Sequence, residues 1–568
     1  MYIATVPNRG SPPAILLREG YREGGTVKNR TLANLSHWPP AKIELLRRVL
    51  RNEPLAPGDT LFEVVASAHH GHVQAVHTAM QRLGVDTLLA ARPSRERALV
   101  VAMVAARILE PDSKLATTRW WHTTTLPADL GVTDADEDAL YEAMDWLLER
   151  QARIEQKLAA RHLRAGGFVL YDLTSSYFEG TTCPLAAFGH NRDGKRGKLQ
   201  VNYGLLTDAR GCPVAVSVFA GNTGDPPTLV PAVQRVRERF GIEQLVVVGD
   251  RGMISQTQIT ALQTLDGVDW ITALKTGALR DLVAEGHLQL GLFDERNLFE
   301  LTHPDFPGER LVACRNPELA ALRAHKRQAL LDATVKELEQ VRGMVGRGRL
   351  RGRDAIGVRV GKVINKYKVA KHLRLEIHDD RFAFQIDEAR VAAEAALDGI
   401  YVIRTSLPPD RLGAADTVRH YKRLSDVERA FRSLKTIDLK VRPIRHRLEE
   451  RVRAHIFLCM LAYYVEWHMR EAWRPLLFSD EDQAAKQTRD PVAPARRSAG
   501  ALRKVHTKVL DDGTPVHSFA TLLKELSRIV RNLCRSRGAG SEAPIFQLVT
   551  TPSPTQQRAY DLLKTIAV

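Results

Sequence analysis

The sequence predicts an α/β protein, and three observations carry that prediction. First, two apolar runs each end in a carboxylate, Gly167-Phe-Val-Leu-Tyr-Asp172 and Gln244-Leu-Val-Val-Val-Gly-Asp250, which is the pattern of buried strands. Second, strand-like and helix-like segments alternate between and after these runs. Third, helical spacing returns in Tyr421-Lys-Arg-Leu-Ser-Asp-Val-Glu428-Arg-Ala-Phe-Arg-Ser-Leu-Lys435. There Tyr421, Glu428 and Lys435 recur seven apart, about two turns, so one helix face is expected to carry all three.

Taken in order, residues 1–55 read as strands and turns, Ala14-Ile-Leu-Leu-Arg18 and then Gly24 to Leu35. Lys28-Asn-Arg-Thr31 reads as a basic ribbon edge suited to DNA contact, and Pro39-Pro40 opens a helix running to Leu50. Residues 56–165 turn helical, with Leu99, Val100, Met103 and Val104 in one apolar helix and Asp138 to Leu163 as a long amphipathic one; this segment is expected to bind DNA. Residues 166–277 form the first part of a core. The Asp172 strand is followed by an antiparallel pair, Lys198–Thr207 and Pro213–Ala220, joined by Asp208-Ala-Arg-Gly-Cys212. A helix from Asp225-Pro-Pro to Phe240, the Asp250 strand, a helix over Ser255–Leu265 and a strand over Trp270–Leu274 complete the run. That is the ribonuclease H-like order, whose first and fourth strands lie side by side. It predicts that Asp172 and Asp250 are neighbours, although 78 residues separate them.

Residues 278–396 break the alternation and read as an insertion domain. It holds irregular strands, a long helix (Pro317–Arg342) and a basic stretch, Arg347, Arg349, Arg351 and Arg353, continuing to Arg374. Residues 397–445 return to the core with Gly399–Arg404 and the Glu428 helix, and 446–568 read as a largely helical region with a loop near 480–500.

Charge and composition narrow the function. The 568 residues divide into several folding units and carry a formal net charge of +16, which makes a polyanion the expected partner. Five cysteines without a C-x-x-C pattern exclude a zinc ribbon and a disulfide scaffold. The start lacks signal-peptide layout and the longest apolar stretches, 98–106 and 456–465, are too short to span a bilayer. The expectation is a soluble cytoplasmic, nucleoid-associated bacterial protein. Arg192-Asp-Gly-Lys-Arg-Gly-Lys198 is not a phosphate loop, so no nucleotide cofactor is expected. His69, His70, His72 and His77 read as a loop rather than a metal cluster.

Two strand-end carboxylates and one from a helix suit hard divalent ions, because a cluster of acids is costly to hold unless cations compensate it. Two such ions can serve phosphoryl transfer. With these motifs on the page, the sequence resembles the DDE transposases of bacterial insertion sequences. The type it is most similar to is the insertion-sequence-four type, marked by Y-(2)-R-(3)-E-(6)-K. The matching segments are Tyr171-Asp-Leu-Thr-Ser-Ser-Tyr-Phe-Glu-Gly180, Val248-Gly-Asp-Arg-Gly-Met253, and Tyr421, Glu428 and Lys435 at the family spacing. Val216–Asp225 resembles the family's linker into its first core helix. The resemblance covers about 165–475, and more faintly 14–50.

The resemblance implies a DNA transposase that binds the terminal inverted repeats of its element, cleaves DNA and transfers strands. It implies catalytic and metal-binding roles for Asp172, Asp250 and Glu428 with two Mg2+ or Mn2+ ions. It also implies DNA contacts from Tyr421 and Lys435, and a homodimer in a synaptic complex on element ends and target DNA. The motif's arginine position holds Leu424, and Arg432, one turn after Glu428, is the expected substitute on DNA phosphate. Arg347, Arg349, Arg351 and Arg353 are expected to follow the DNA backbone. A structure-selective nuclease or resolvase without strand transfer, and an inert DNA-binding remnant, are the rival readings.

Overall fold

The computed structural model describes residues 1–53, 62–289, 293–536 and 544–567, and these divide into two units. The first comprises Met1–His70 with Ile529–Thr551. Tyr2–Asn8, Ser11–Glu23 and Thr26–Asn34 form an antiparallel meander, followed by helix Pro40–Leu50 as its proline pair predicts. A second sheet has Val530–Ser536 at its centre, flanked by Phe62–His69 and Ile545–Val549. Two expectations are corrected here: Phe62–His69 is a strand rather than the start of a helical region, and the carboxy-terminal region supplies two strands. Phe62-Glu-Val-Val-Ala-Ser-Ala-His is extended because its hydrogen-bonding partner comes from the far end of the chain, a pairing that no local period reveals.

The second unit, Gly71–Arg528 with Pro552–Val568, is built on an eight-stranded mixed sheet. Five of its strands are Gly167–Tyr177, Gln200–Asp208, Pro213–Ala220, Leu245–Val248 and Val268–Ala273. In space they run third, second, first, fourth, fifth; the first three are antiparallel, and the fourth and fifth run parallel to the first. The expected adjacency of first and fourth strands is therefore present. Gln200–Asp208 is buried along its whole length, as a strand covered on both faces must be.

The predicted insertion is not wholly separate. Leu298–Leu301 and Arg310–Arg315 extend the sheet beyond Ile400–Thr405, which pairs antiparallel with Val268–Ala273. The remainder, helices Pro317–Gly346 and Arg353–Tyr367 with hairpin Leu373–Ile377/Phe382–Ile386, has its own core of Leu338, Val341, Ile356, Val360, Leu373 and Phe382.

Helix Glu449–Ala472 is buried along most of its length. It packs against Arg95–Leu109 and Glu137–Glu149 and lies on strand Pro213–Ala220. Leu99 through Ile108 are all buried, so that helix serves packing rather than DNA contact. The long helix expected over 138–163 is two helices, Glu137–Glu149 and Gln151–His162. Arg150 ends the first: its guanidinium lies 4.0 Å over the Trp146 ring and donates to the Trp146 carbonyl at 2.9 Å. Buried Glu155 ties the second to the sheet, accepting from the Val216 amide at 3.1 Å and pairing with Arg235. Among the described residues no helix is long and apolar enough to cross a membrane, and all five cysteines are free and buried.

Candidate active site

Strand register brings the first two acids together. Gly167 faces Leu245 and, residue by residue, Leu170 faces Val248, a constant offset of 78. That offset equals the separation of Asp172 and Asp250, so continuing the register two residues past the last observed pair brings the two acids level on neighbouring parallel strands, whose general spacing is about 4.8 Å. Asp172 lies within its strand and accepts from the Leu173 amide at 2.8 Å. Asp250 lies just past its strand, where Oδ1 accepts from the amides of Gly252 (3.0 Å) and Met253 (2.7 Å). In each residue one oxygen is held by backbone, and among the described residues none donates to the other.

Glu428 comes from helix Leu424–Arg432, which packs on the Asp172 strand through buried Val427, Ala430 and Phe431. Phe431 meets the Tyr203 ring edge-on at 5.9 Å, which turns the opposite side, Glu428 and Arg432, outward. Asp172, Asp250, Glu428, Arg432 and Lys435 all line one cavity of about 390 Å3.

The expectation of a single helical face for Tyr421, Glu428 and Lys435 is corrected. Helix Ala414–Lys422 ends before Arg423, and the following helix widens into a π turn over Ser433–Ile437. A π turn carries more residues per revolution than an α-helix and moves Lys435 off the face of Glu428. Ser433 holds that turn, its single hydroxyl proton shared between Asp438 at 2.6 Å and Glu466 at 2.7 Å. Tyr421, on the preceding helix, is not among the residues lining the cavity but lies near enough to feel its acids: burial, then the negative charge of Asp250, raises its phenol to about 12. It is therefore a neutral donor.

Five carboxylates line the cavity: Asp172, Asp193, Asp225, Asp250 and Glu428. Two are neutralised by the protein itself. Asp193, almost wholly buried, takes the Lys435 ammonium at 2.9 Å and the Arg442 guanidinium, and also accepts from the Tyr177 amide at 2.9 Å. Asp225 pairs with Arg192. Asp172, Asp250 and Glu428 have no ion-pair partner among the described residues. Burial, and then the nearby Asp250, raise the Asp172 carboxyl to about 7, against the opposing pull of the Leu173 amide. The strand ends thus hold acids without an ion-pair partner among the described residues, offset only in part by the charge of Arg192, and a divalent cation fits that donor set.

The remaining expected residues are placed as follows. Arg432 is exposed at the cavity wall and has no ion-pair partner among the described residues, whereas Arg429 is bound to Asp426 at 3.1 Å. Lys435 is only 9% exposed and held by Asp193. Arg347, Arg349 and Arg351 lie exposed between the two insertion helices and Arg353 opens the second, all outside the cavity. His69 ends a strand in the first unit, while His72 and His77 lie on helix Gly71–Arg82 in the second. Sequence reasoning missed Asp193, Asp225, Arg192 and Arg442. The one available signal was the Arg192–Lys198 turn, where Asp193 stands as an acceptor among basic residues.

Comparison with known proteins gives the following. The family described as transposase DDE domain matches residues 167–465, more than half of the chain. The IS1634 family transposase, N-terminal domain, matches residues 3–56. IS1634 is a different family from the insertion-sequence-four type that 421–435 resembles, and the matches do not support that finer type. A piggyBac transposase synaptic complex with hairpin DNA aligns at 9% identity and TM-score 0.34, covering 80% of this chain and 77% of that one. A Mos1 transposase paired-end complex with left transposon end aligns at 12% identity and TM-score 0.15, covering 35% and 66%. No curated protein matches the chain.

Proposed function

The chain belongs to the transposase DDE domain family and is a DNA transposase, and we propose that Asp172, Asp250 and Glu428 carry its phosphoryl transfer on a ribonuclease H-like core. One observation carries the assignment: of five carboxylates lining the cavity, these three have no ion-pair partner among the described residues, whereas Asp193 and Asp225 do. The other two belong to the frame. Divalent metal ions, Mg2+ or Mn2+ and two in number, supply Lewis-acid activation of the attacking and leaving oxygens when bound.

The chain's own residues then have separable tasks. The amides of Leu173, Gly252 and Met253 fix one oxygen of each aspartate, so the free oxygen of each is presented in one orientation. Arg432, unpaired at the wall, faces scissile phosphate, and neutral Tyr421 donates a hydrogen bond to a phosphate oxygen. Lys435 is a positioning residue, since with Arg442 it anchors the Asp193 turn beside the acids. No covalent enzyme intermediate and no nucleotide is needed, because positioning and electrostatics suffice for in-line transfer. Arg347, Arg349, Arg351 and Arg353 follow DNA backbone away from the site, and concerted cutting of two ends calls for a homodimer on element ends and target DNA.

The test uses the full chain with magnesium and DNA carrying the inverted repeats that flank its gene. Cut ends joined to target DNA are the expected product. Cleavage without joining would make it a nuclease or resolvase, and bound but intact DNA would make it an inert remnant.

A further inference from the structure

A second concavity, of about 580 Å3, lies between the core and the insertion and starts at the residue after Asp250. Arg251 lines it from the core, Arg280 from helix Thr276–Ala284, Arg323 and Lys326 from helix Pro317–Gly346, and Lys368 from the turn that ends helix Arg353–Tyr367. Its two carboxylates are already engaged: Asp398 holds Arg327, and Glu394 holds Lys371 and lies 3.1 Å from His372. The five named cations are all exposed, and among the described residues none has a carboxylate within ion-pair distance.

Unpaired like charges along a concave wall raise the local potential and concentrate polyanions there. The site is a concavity rather than a flat face, its cations set round a lining that also includes Leu274, Leu279, Leu330, Val369, Leu397 and Ile400, and a concave wall of charge suits phosphate groups better than a flat lipid surface does.

We propose that this groove is the track for a polynucleotide phosphate backbone leaving the Asp250 edge of the active site, with Arg251, Arg280, Arg323, Lys326 and Lys368 as its phosphate contacts. The proposal rests on the transposase reading of that site. Acidic polypeptide is the competing occupant that the test must reject.

The experiment compares the full-length chain with a variant carrying Arg280→Ala, Arg323→Ala, Lys326→Ala and Lys368→Ala. Fluorescence anisotropy follows binding of a labelled mixed-sequence duplex and a labelled oligothymidine between roughly 50 and 200 mM salt. For each lost contact the logarithmic salt slope should become shallower by about 0.9 on duplex or about 0.7 on single strand. The probe that shows the change identifies the form of DNA carried. A charge-conserving variant (Arg280→Lys, Arg323→Lys, Lys326→Arg, Lys368→Arg) should restore the slope, separating electrostatics from damage to the fold. Unchanged slopes on both probes, or displacement of DNA by polyglutamate of equal charge as effectively as by DNA, would overturn the track. Cleavage by the unaltered chain is read in parallel. Cutting with unchanged slopes removes the groove alone, whereas a flattened slope without any cutting removes the reading of the active site and leaves the groove as a binding surface.

Discussion

Replacing Asp172 by Asn should stabilise the metal-free protein while abolishing its chemistry. The Asp172 carboxyl is raised from its ordinary 3.8 to about 7 by burial and by Asp250. A carboxyl raised that far corresponds to about 4 kcal/mol, and partial exposure to water reduces this to roughly 1–3 kcal/mol. The sign follows from proton binding. The folded protein keeps this proton to higher pH than the unfolded chain does, so stability falls as pH rises from about 4 to about 7 and remains lowered above that. Asparagine removes the charge but keeps the oxygen that accepts from the Leu173 amide at 2.8 Å. In chelator at pH 8, Asp172→Asn should therefore melt higher than the unaltered protein, and the gap should close near pH 4.5. Adding magnesium should reverse the order, because the unaltered site gains a ligand and the variant has lost one of its carboxylates. Differential scanning fluorimetry at both pH values, with and without magnesium, reads all of this. A lower melting temperature for Asp172→Asn in chelator at pH 8 would refute the claim that Asp172 is held in repulsion offset only in part.

Three further outcomes are expected. Arg432→Ala should slow strand cleavage roughly ten- to hundredfold, the loss of one charge-assisted hydrogen bond of about 1.5–3 kcal/mol, while Arg429→Ala, whose partner is Asp426, should have little effect; equal rates for the two variants in single-turnover assays would clear Arg432 of any phosphate contact. Asp193→Ala strands the Lys435 and Arg442 cations and should cost about 3–5 kcal/mol in denaturant unfolding, against under about 1 kcal/mol for Glu179→Ala in its exposed pair with Arg445; similar losses would make Lys435 an ordinary surface lysine. Neutralising Arg347, Arg349, Arg351 and Arg353 together should flatten the salt dependence of end-DNA binding, and an unchanged slope would return that segment to solvent.

Much of the site was legible in sequence because it depends on strand order and residue parity. Two apolar runs ending in aspartate, with a hairpin and one helix between them, suffice to place Asp172 beside Asp250, and the observed register has the same 78-residue offset as the two residues. Glu428 was legible from helical spacing over one short stretch, where Val427, Ala430 and Phe431 mark the buried side. What failed was longer-range. Spacing of seven assumes an unbroken α-helix, but the chain breaks at Arg423 and widens after Arg432, where Ser433 bonds to Asp438 and Glu466. The Lys435–Asp193 pair links two segments far apart in sequence, so Lys435 read as a free clamp when it is a buried strut. Phe62–His69 failed for the same reason, since its partner strand begins at Val530.

The account stands on three unpaired carboxylates acting as one metal-dependent site, and single alanine replacements test this most directly. Asp172→Ala, Asp250→Ala and Glu428→Ala are each assayed for magnesium-dependent cleavage and joining of end DNA, with binding to the same DNA measured alongside. Loss of both reactions in all three variants, with end binding close to that of the unaltered chain, is the predicted result. Substantial strand transfer by any one of them would remove that residue from the site and contradict the assignment.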